Sequence, residues 1–340
     1  MRTLLALTAL GLTLVAATPA WAILAPTTQI DGTRFIARTE QLQVVSADIN
    51  IRQLATASGA SEWWVDVEVE MRSLALSPVQ VDLAVIDTPE FTEETQVYVD
   101  GVLVRTATIA PRQDPALPEH TYAGARLLPI SLPLGGSTVV SVRMRATGSV
   151  DSRGQTFFEL PTNALGLFGE TVVAGRIQLT ANGRLIGFQS TLVEHTVYDE
   201  PLNRVSWWLR DWEPRIAFRA SFVSPWSALL LVAEIEACPD PWRVMRATTG
   251  GQMAVLRDYV GGFDDASLLF CGNLPEILHG RYFESERTRE QLLGMTLDRY
   301  VPDAFAVSIY RPNPSYAEDT LSEPEAIYAR SLRTVLSERQ

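Results

Sequence analysis

This chain contains no lysine, and all 28 of its lysine-or-arginine positions are arginine. Enzymes that form a Schiff base with their substrate, and those that activate a serine with a lysine, need the lysine amine. The sequence therefore excludes both of these catalytic mechanisms.

Positive charge is also scarce. The 28 arginines are outnumbered by 40 aspartates and glutamates, and the net charge is −12. Nucleic-acid binding needs concentrated positive charge against the phosphates, and anionic lipid head groups repel an acidic protein. The composition thus predicts that neither nucleic acid nor an anionic membrane surface is a partner.

Familiar catalytic and cofactor motifs are absent as well. The chain has three histidines, His120, His195 and His279, and none has the spacing of a zinc-binding HExxH motif. There is no GxSxG elbow, no SxxK and no phosphate-binding loop, and Asp264-Asp265 lacks the context of a calcium loop. We predict no metal, no cofactor and no catalytic residue.

Only two cysteines occur, Cys238 and Cys271. In an oxidising compartment such a pair is typical of a structural disulfide, while two free thiols or a redox pair are the alternatives. Closing a loop of this length stabilises a fold by roughly 3–4 kcal/mol.

The N-terminus has the features of a secretory signal peptide. Arg2 precedes an apolar run over residues 4–17, and Ala20-Trp21-Ala22 is a small-x-small cleavage site. The apolar run is too short to span a membrane. We therefore predict a signal peptide over residues 1–22, a mature chain from Ile23 without a transmembrane span, and a periplasmic or extracellular location.

Residues 23–236 have the pattern of β-strands. Apolar and polar residues alternate, as in half-buried strands, and Asp100-Gly101 and Asn182-Gly183 are typical of tight turns. A stretch with five prolines, 110–133, predicts a long loop. We predict an antiparallel β-sandwich, with a closed barrel as the alternative. Its strands are predicted at 42–44, 49–51, 64–71, 79–83, 97–99, 102–104, 137–146, 177–180, 185–188, 204–210, 216–222 and 229–233.

Residues 237–340 predict a small helical module, stapled by the Cys238–Cys271 disulfide. Together with the β-sandwich it makes a multidomain α+β protein. Asp264 or Asp265 is placed to cap one helix, and Ser322 with Glu325 forms a capping box for the last. The predicted helices are 242–248, 252–260, 265–269, 284–293 and 322–338.

A cluster of tryptophans is the most specific candidate for a binding site. Trp207, Trp208 and Trp212 lie within six residues, beside Arg210. On a regular strand, Trp208 and Trp212 share one face and Trp207 lies on the other. Exposed tryptophan beside arginine suits the binding of a sugar or peptide. The alternative is a core role for the rings, with Arg210 paired to a neighbouring acid, Asp211 or Glu213.

A second candidate comes with a resemblance. The motif Glu-Ile-Leu-His-Gly-Arg-Tyr-Phe over residues 276–283, and the later Tyr-Arg-Pro-Asn-Pro-Ser-Tyr over 310–316, resemble the YARHG domain, an extracellular bacterial module. Leu160-Pro161-Thr162 and Trp212-Glu213-Pro214 give residues 23–236 a resemblance to uncharacterised exported bacterial β-domains. These resemblances imply residence in the cell envelope and single out His279, but they transfer no catalytic residue.

Together these observations predict an exported cell-envelope protein that binds or scaffolds without catalysis. The partner would be a cell-wall polymer or an envelope protein. One alternative is a wall glycan or peptide hydrolase that uses His279 and Glu276 with Asp264 or Asp265. Another is a surface component that associates with itself through the tryptophan-rich strand.

Overall fold

The computed structural model describes a large part of the chain. The described residues are 24–30, 33–54, 62–87, 95–109, 124–147, 149–150, 156–160, 162–169, 171–181, 185, 187–192, 196–199, 202–234, 237–286, 312–313, 316–317 and 320–339. The predicted signal peptide, most of the predicted helix 284–293, His120 and His195 lie outside these residues.

Within the described residues the chain forms a mixed α/β structure in which strands predominate. In chain order the strands are β1 (Leu24–Ile30), β2 (Thr33–Ile36), β3 (Leu42–Leu54), β4 (Glu62–Ser73), β5 (Val79–Asp87), β6 (Gln96–Val99), β7 (Val102–Leu103), β8 (Ala107–Ile109), β9 (Gly124–Leu132), β10 (Ser137–Thr147), β11 (Ser149–Val150), β12 (Thr156–Leu160), β13 (Val172–Thr180), β14 (Gly187–Ser190), β15 (Thr196–Asp199), β16 (Arg204–Trp212) and β17 (Phe218–Val223). A 3₁₀ helix, Thr162–Leu167, follows β12.

The strands form three sheets. Their orders are β2-β1-β5-β9-β8, β15-β16-β13-β3-β4-β10-β6-β7 and β11-β12-β17-β14. Neighbouring strands are antiparallel, except that β13 runs parallel to β3. The purely antiparallel arrangement predicted from the sequence is therefore wrong at this pair. Alternation of apolar and polar residues is the same in parallel and antiparallel strands when one face of the sheet is solvated, so the sequence pattern cannot distinguish the two kinds of pairing.

Alternation along the strands separates a buried face from an outward face. On β4, Trp63, Val65 and Val67 are buried, whereas Asp66 and Glu68 point away from them, because successive side chains of a strand point to opposite sides. Buried residues of all three sheets join in one hydrophobic cluster. The outward face of the eight-stranded sheet is thereby left to polar residues.

The two predicted turns have different outcomes. Asp100 and Gly101 have φ angles of 48° and 78° and join the paired strands β6 and β7, which confirms the predicted hairpin. Asn182 and Gly183 lie outside the described residues. The strands that flank them belong to different sheets, since β13 pairs with β16 and β3 while β14 pairs with β17. A hairpin between them is therefore not formed.

Two further local predictions are wrong. Residues 124–132 of the predicted loop form β9, and Pro129 lies in this strand opposite Asp82. Among the described residues, β8 pairs with residues 125–127 of β9 and no strand pairs with Pro129 on that side, a position in which proline is tolerated. The predicted strand 229–233 is instead part of a helix, because a short, uniformly apolar run carries no periodicity that distinguishes the two structures.

The C-terminal part is helical. Its helices are α1 (Pro225–Glu234), α2 (Pro241–Thr249), α3 (Met253–Val260), α4 (Asp265–Leu278) and α5 (Glu323–Arg339). The predicted helices at 242–248, 252–260, 265–269 and 322–338 are confirmed, although α4 continues beyond its predicted end. Asp264 caps α4 by accepting a 2.7 Å hydrogen bond from the Ser267 N–H. None of the helices in the described part of the chain is long and apolar enough to cross a membrane.

These helices enclose a second hydrophobic cluster, which includes α1 and both cysteines. The predicted Cys238–Cys271 disulfide is present, with 5.7 Å between the Cα atoms. It ties the segment before α2 to the middle of α4. The described structure thus has one core among its sheets and another among its helices.

Candidate functional site

The outward face of the eight-stranded sheet carries a continuous row of polar and aromatic side chains. Cross-strand pairing places six residues side by side on β16, β13, β3, β4, β10 and β6. We call this set the central row; its members, in order, are Trp208, Arg176, Asp48, Glu68, Ser141 and Tyr98. Neighbouring strands lie about 4.8 Å apart, so the row is about 24 Å long.

One end of the central row is held by Arg176. The Arg176 guanidinium forms an ion pair with Asp48 and lies 5.4 Å from the ring centroid of Trp208. The Asn50 amide donates a 2.9 Å hydrogen bond to the same Asp48 carboxylate. The Trp208 side chain is 55% exposed, so the cation–π contact orients the ring while leaving much of it open to solvent.

A parallel set of ion pairs supports the row. Asp66 on β4 accepts hydrogen bonds from Arg52 at 2.7 Å and from Arg143 at 2.6 Å. Hydrogen bonding to Asp66 and the charge of Asp66 raise the pKa of the Arg143 guanidinium. Arg145 pairs with Glu62 on the same face. Each surface pair contributes little to stability alone, but together they restrict the side chains that border the row.

A shallow cavity of about 520 Å³ lies at the centre of this face. Asp48 and Glu68 line it directly opposite each other in the β3–β4 register. Glu68 is exposed and makes no hydrogen bond or ion pair with any described residue. Ionised carboxylates accept hydrogen bonds. The cavity can therefore receive hydroxyl, amide or ammonium groups from a bound molecule.

The tryptophan cluster predicted from the sequence does not form one site. Trp207 is fully buried, edge-on against Phe218 at 5.0 Å between ring centroids. The ring of Trp212 lies 3.4 Å from the position that a Cβ on Gly175 would take, on the buried side of β13. Trp208 and Trp212 therefore lie on opposite faces, contrary to the prediction. The positive φ of 47° at Asp211 explains the change, because it interrupts the regular alternation.

Arg210 remains on the outward face beside Trp208. It is exposed and lies opposite Ala174 in the register. Glu213, one of its predicted partners, pairs instead with Arg215. Of the four residues predicted on this strand, Trp208 and Arg210 thus share the outward face, whereas Trp207 and Trp212 belong to the packing of the core.

His279 lies far along the chain from this face, at the C-terminal end of α4. Its Nε2 is 3.1 Å from both carboxylate oxygens of Glu325, whose side chain is 3% exposed. Burial raises the pKa of Glu325, but hydrogen bonds from His279 and Ser322, with the attraction to His279, outweigh it and lower the pKa overall. The Ser322 N–H donates a 2.8 Å bond to Glu325, which is one of the two bonds of the predicted capping box, and the Ser322 hydroxyl donates to the same carboxylate at 2.7 Å.

Glu276 is also engaged in structural contacts. Its buried carboxylate pairs with Arg281 and, at 2.6 Å, with Arg333 of α5. Gly280 ends the helix with a φ of 81°, a conformation that favours glycine. Glu276 and His279, two residues of the 276–283 motif, therefore join the end of α4 to α5.

The groups named for a hydrolase do not converge. Asp264 caps the opposite end of α4, about 20 Å away along a helix of this length, and Asp265 pairs with Arg339 at 3.3 Å. Among the described residues, no three histidine, cysteine, aspartate or glutamate side chains are grouped to hold a metal ion.

Comparisons with known proteins give one informative likeness. No family model matches the chain, and no curated protein matches it. Among solved structures it is similar to a "putative nutrient binding protein" from Legionella pneumophila, at 13% sequence identity and a TM-score of 0.61, over 95% of this chain and 100% of that one. This likeness shows a shared fold.

A second likeness is partial. An M1 zinc metallopeptidase from Deinococcus radiodurans matches 55% of this chain and 43% of its own, at 11% identity and a TM-score of 0.33. A score this low carries no argument about function.

Most residues of the central row were not singled out from the sequence. Alternation predicted outward acids on the strand at 64–71, but the row depends on which strands are neighbours. Arg176 and Asp48 are separated by 128 positions and meet only because β13 lies beside β3. The sequence signal was the alternation of apolar and polar residues along several strands. It shows which side chains of a strand point outward, but it does not show which strands lie next to each other.

Proposed function

We propose that this is an exported cell-envelope protein that binds an extended envelope polymer without catalysis, and that the central row is its binding surface. The observation that carries the proposal is the row itself. It is about 24 Å long by strand spacing, has an aromatic side chain at each end, Trp208 and Tyr98, and has polar groups between them.

The chemistry of the row favours a glycan chain. An exposed indole offers an apolar face on which a sugar ring stacks, and its neighbours supply hydrogen bonds. Asp48 and Glu68 accept from hydroxyl or amide hydrogens, and Ser141 both donates and accepts. A shallow face lets a polymer continue beyond both ends of the row, whereas small-molecule ligands are usually enclosed.

Several features support the envelope setting. The predicted signal peptide over residues 1–22 and the disulfide are compatible with export into an oxidising compartment. The similar Legionella protein is named for binding a nutrient, and binding is the function class proposed here. We extend the proposal to the domain organisation, with a β-sandwich over 23–236 and a YARHG-like helical module over 237–340.

The two hydrophobic clusters support a division into a strand-rich part and a helical part. Because α1 packs in the helical cluster, they favour a boundary before Pro225 rather than at residue 236. The contacts of His279 and Glu276 support a structural role for the helical motif. The residues proposed for a hydrolase do not form one site, because His279 is paired to Glu325 and Asp264 lies at the far end of α4.

The test is co-sedimentation of the protein, without residues 1–22, with purified cell-wall sacculi at low and high salt. We expect the wild type to pellet at both salt concentrations. Trp208→Ala should lose about 5- to 150-fold in affinity, since stacking on an aromatic ring is worth roughly 1–3 kcal/mol. Trp242→Ala is the matched control, because Trp242 is 51% exposed but lies in the helical part.

Equal pelleting of the Trp208 and Trp242 variants would exclude the central row as the binding surface. Absence of wild-type pelleting would overturn the polymer proposal itself. Concentration-dependent oligomers that Trp208→Ala abolishes would assign this surface to self-association instead.

A further inference from the structure

A second concave surface lies on the five-stranded sheet, away from the central row. It is a groove of about 890 Å³, lined by β1, β5 and β9 and by the segment 37–41 that leads into β3. The central row occupies the eight-stranded sheet, so the two surfaces share no residue. The volume is within the range of small-molecule sites, roughly 300–1,000 Å³.

The segment 37–41 is held in place by its backbone. The Ala37 N–H donates to the Pro26 carbonyl at 3.0 Å, and the Thr39 N–H donates to the Leu167 carbonyl at 2.8 Å. The Gln41 carbonyl accepts from the Leu74 N–H at 2.8 Å. Attachments at three alternate residues fix this side of the groove before any ligand arrives, which reduces the ordering cost of binding.

The groove is rich in amides that are not used by the fold. Gln29 on β1, Gln80 on β5 and Gln41 on the segment 37–41 line it with exposed side chains. These side chains make no hydrogen bond with any described residue, and the same holds for Ser131 on β9. A glutamine amide presents a donor and an acceptor side by side, an arrangement that matches neighbouring hydroxyl groups, each of which also donates and accepts.

The charges in the groove do not select an ion. Among the described lining residues, one guanidinium, Arg38, is set against two carboxylates, Glu40 and Asp82, so the net charge of these residues is small. None of the described residues that line the groove is aromatic, so the recognition that they offer depends on hydrogen bonds. We propose that this groove binds a neutral, polyhydroxylated small molecule the size of a mono- or disaccharide, through the amides of Gln29, Gln41 and Gln80.

The inference does not depend on the proposed polymer surface. Its test is ligand-detected saturation-transfer NMR with glucose, N-acetylglucosamine and maltose as probes, and with alanine as a zwitterionic probe. We expect at least one sugar to bind, with an affinity that falls about fivefold in Gln80→Leu, because one lost hydrogen bond is worth about 0.5–1.5 kcal/mol. Gln29→Leu combined with Gln80→Leu should lower it further.

Two control variants make the result specific. Gln252→Leu changes an exposed glutamine in the helical part whose side chain makes no capping hydrogen bond, and it should bind as the wild type does. The glutamine variants are also compared in a Trp208→Ala background, because the central row is itself proposed to bind glycan. The groove should retain its sugar signal in that background, so failure of the polymer proposal and failure of this one remain separate. A sugar signal that Gln80→Leu leaves intact, binding of alanine alone, or no binding of any sugar would each overturn the inference.

Discussion

The buried carboxylate of Glu325 should stabilise the helical part in a pH-dependent manner. It accepts hydrogen bonds from the N–H and hydroxyl of Ser322 at 2.8 and 2.7 Å and lies 3.1 Å from His279 Nε2. Glu325→Gln keeps the shape of the side chain but removes its charge. Hydrogen bonds to a charged group contribute about 1.5–3 kcal/mol each, and the amide oxygen can still accept from Ser322. We therefore expect a loss of about 2–3 kcal/mol near pH 7.

The sign of the pH dependence follows from the lowered pKa of Glu325. A carboxyl group whose pKa is lower in the folded state stabilises the fold above its unfolded pKa, which is near 4.5. This contribution disappears as the pH falls through the folded value, because both states then bind the proton. The difference between the wild type and Glu325→Gln should therefore be largest near neutral pH and shrink below about pH 4.5.

Urea unfolding monitored by circular dichroism at the helical band measures this difference, at about pH 7 and about pH 3. Glu338→Gln on the same helix is the matched control, because Glu338 is an exposed partner of Arg257 and its loss should change stability little. A Glu325→Gln variant as stable as the wild type near neutral pH, or a difference that persists unchanged in acid, would refute the reasoning.

Two more predictions concern packing and cross-linking. Replacing Cys238 and Cys271 with alanine should lower the free energy of unfolding by roughly 3–4 kcal/mol. Urea unfolding of the variant and of the disulfide-bonded wild type measures this difference. Adding reductant to the wild type should have a similar effect. Gly175→Ala should cost about 1 kcal/mol, because the new Cβ would lie 3.3 Å from the Leu209 Cβ and 3.4 Å from the Trp212 ring. Tryptophan fluorescence would follow that transition, and an unchanged or increased midpoint would contradict the packing described at Gly175.

The sequence supports local predictions better than long-range ones. The Asp100-Gly101 hairpin and the Asp264 cap were predictable because each depends on a few adjacent residues with strong conformational preferences. Residues 229–233 were misassigned because an apolar run suits a buried helix or strand equally. The helix begins at Pro225, where Ser224 Oγ accepts a hydrogen bond from the Ser227 N–H at 3.2 Å.

In β16, a single residue interrupts the alternation of side chains between the two faces of the sheet. The alternation rule placed Trp208 and Trp212 together, and a regular strand would have kept them so. The left-handed backbone at Asp211 redirects the end of β16, and Gly175 leaves the space that receives the Trp212 ring. A positive φ at a residue other than glycine is uncommon. The sequence alone therefore offered little reason to expect the interruption.

Residues of the 276–283 motif hold the end of α4 in place. Glu276, His279 and Gly280 each have a structural task here: two bind α5 through Arg333 or Glu325, and the glycine ends the helix. These three residues are therefore engaged at the end of α4, whereas the sheets carry exposed polar side chains. There, Glu68, Gln29 and Gln80 are exposed and have no partner among the described residues, so they remain available to a ligand.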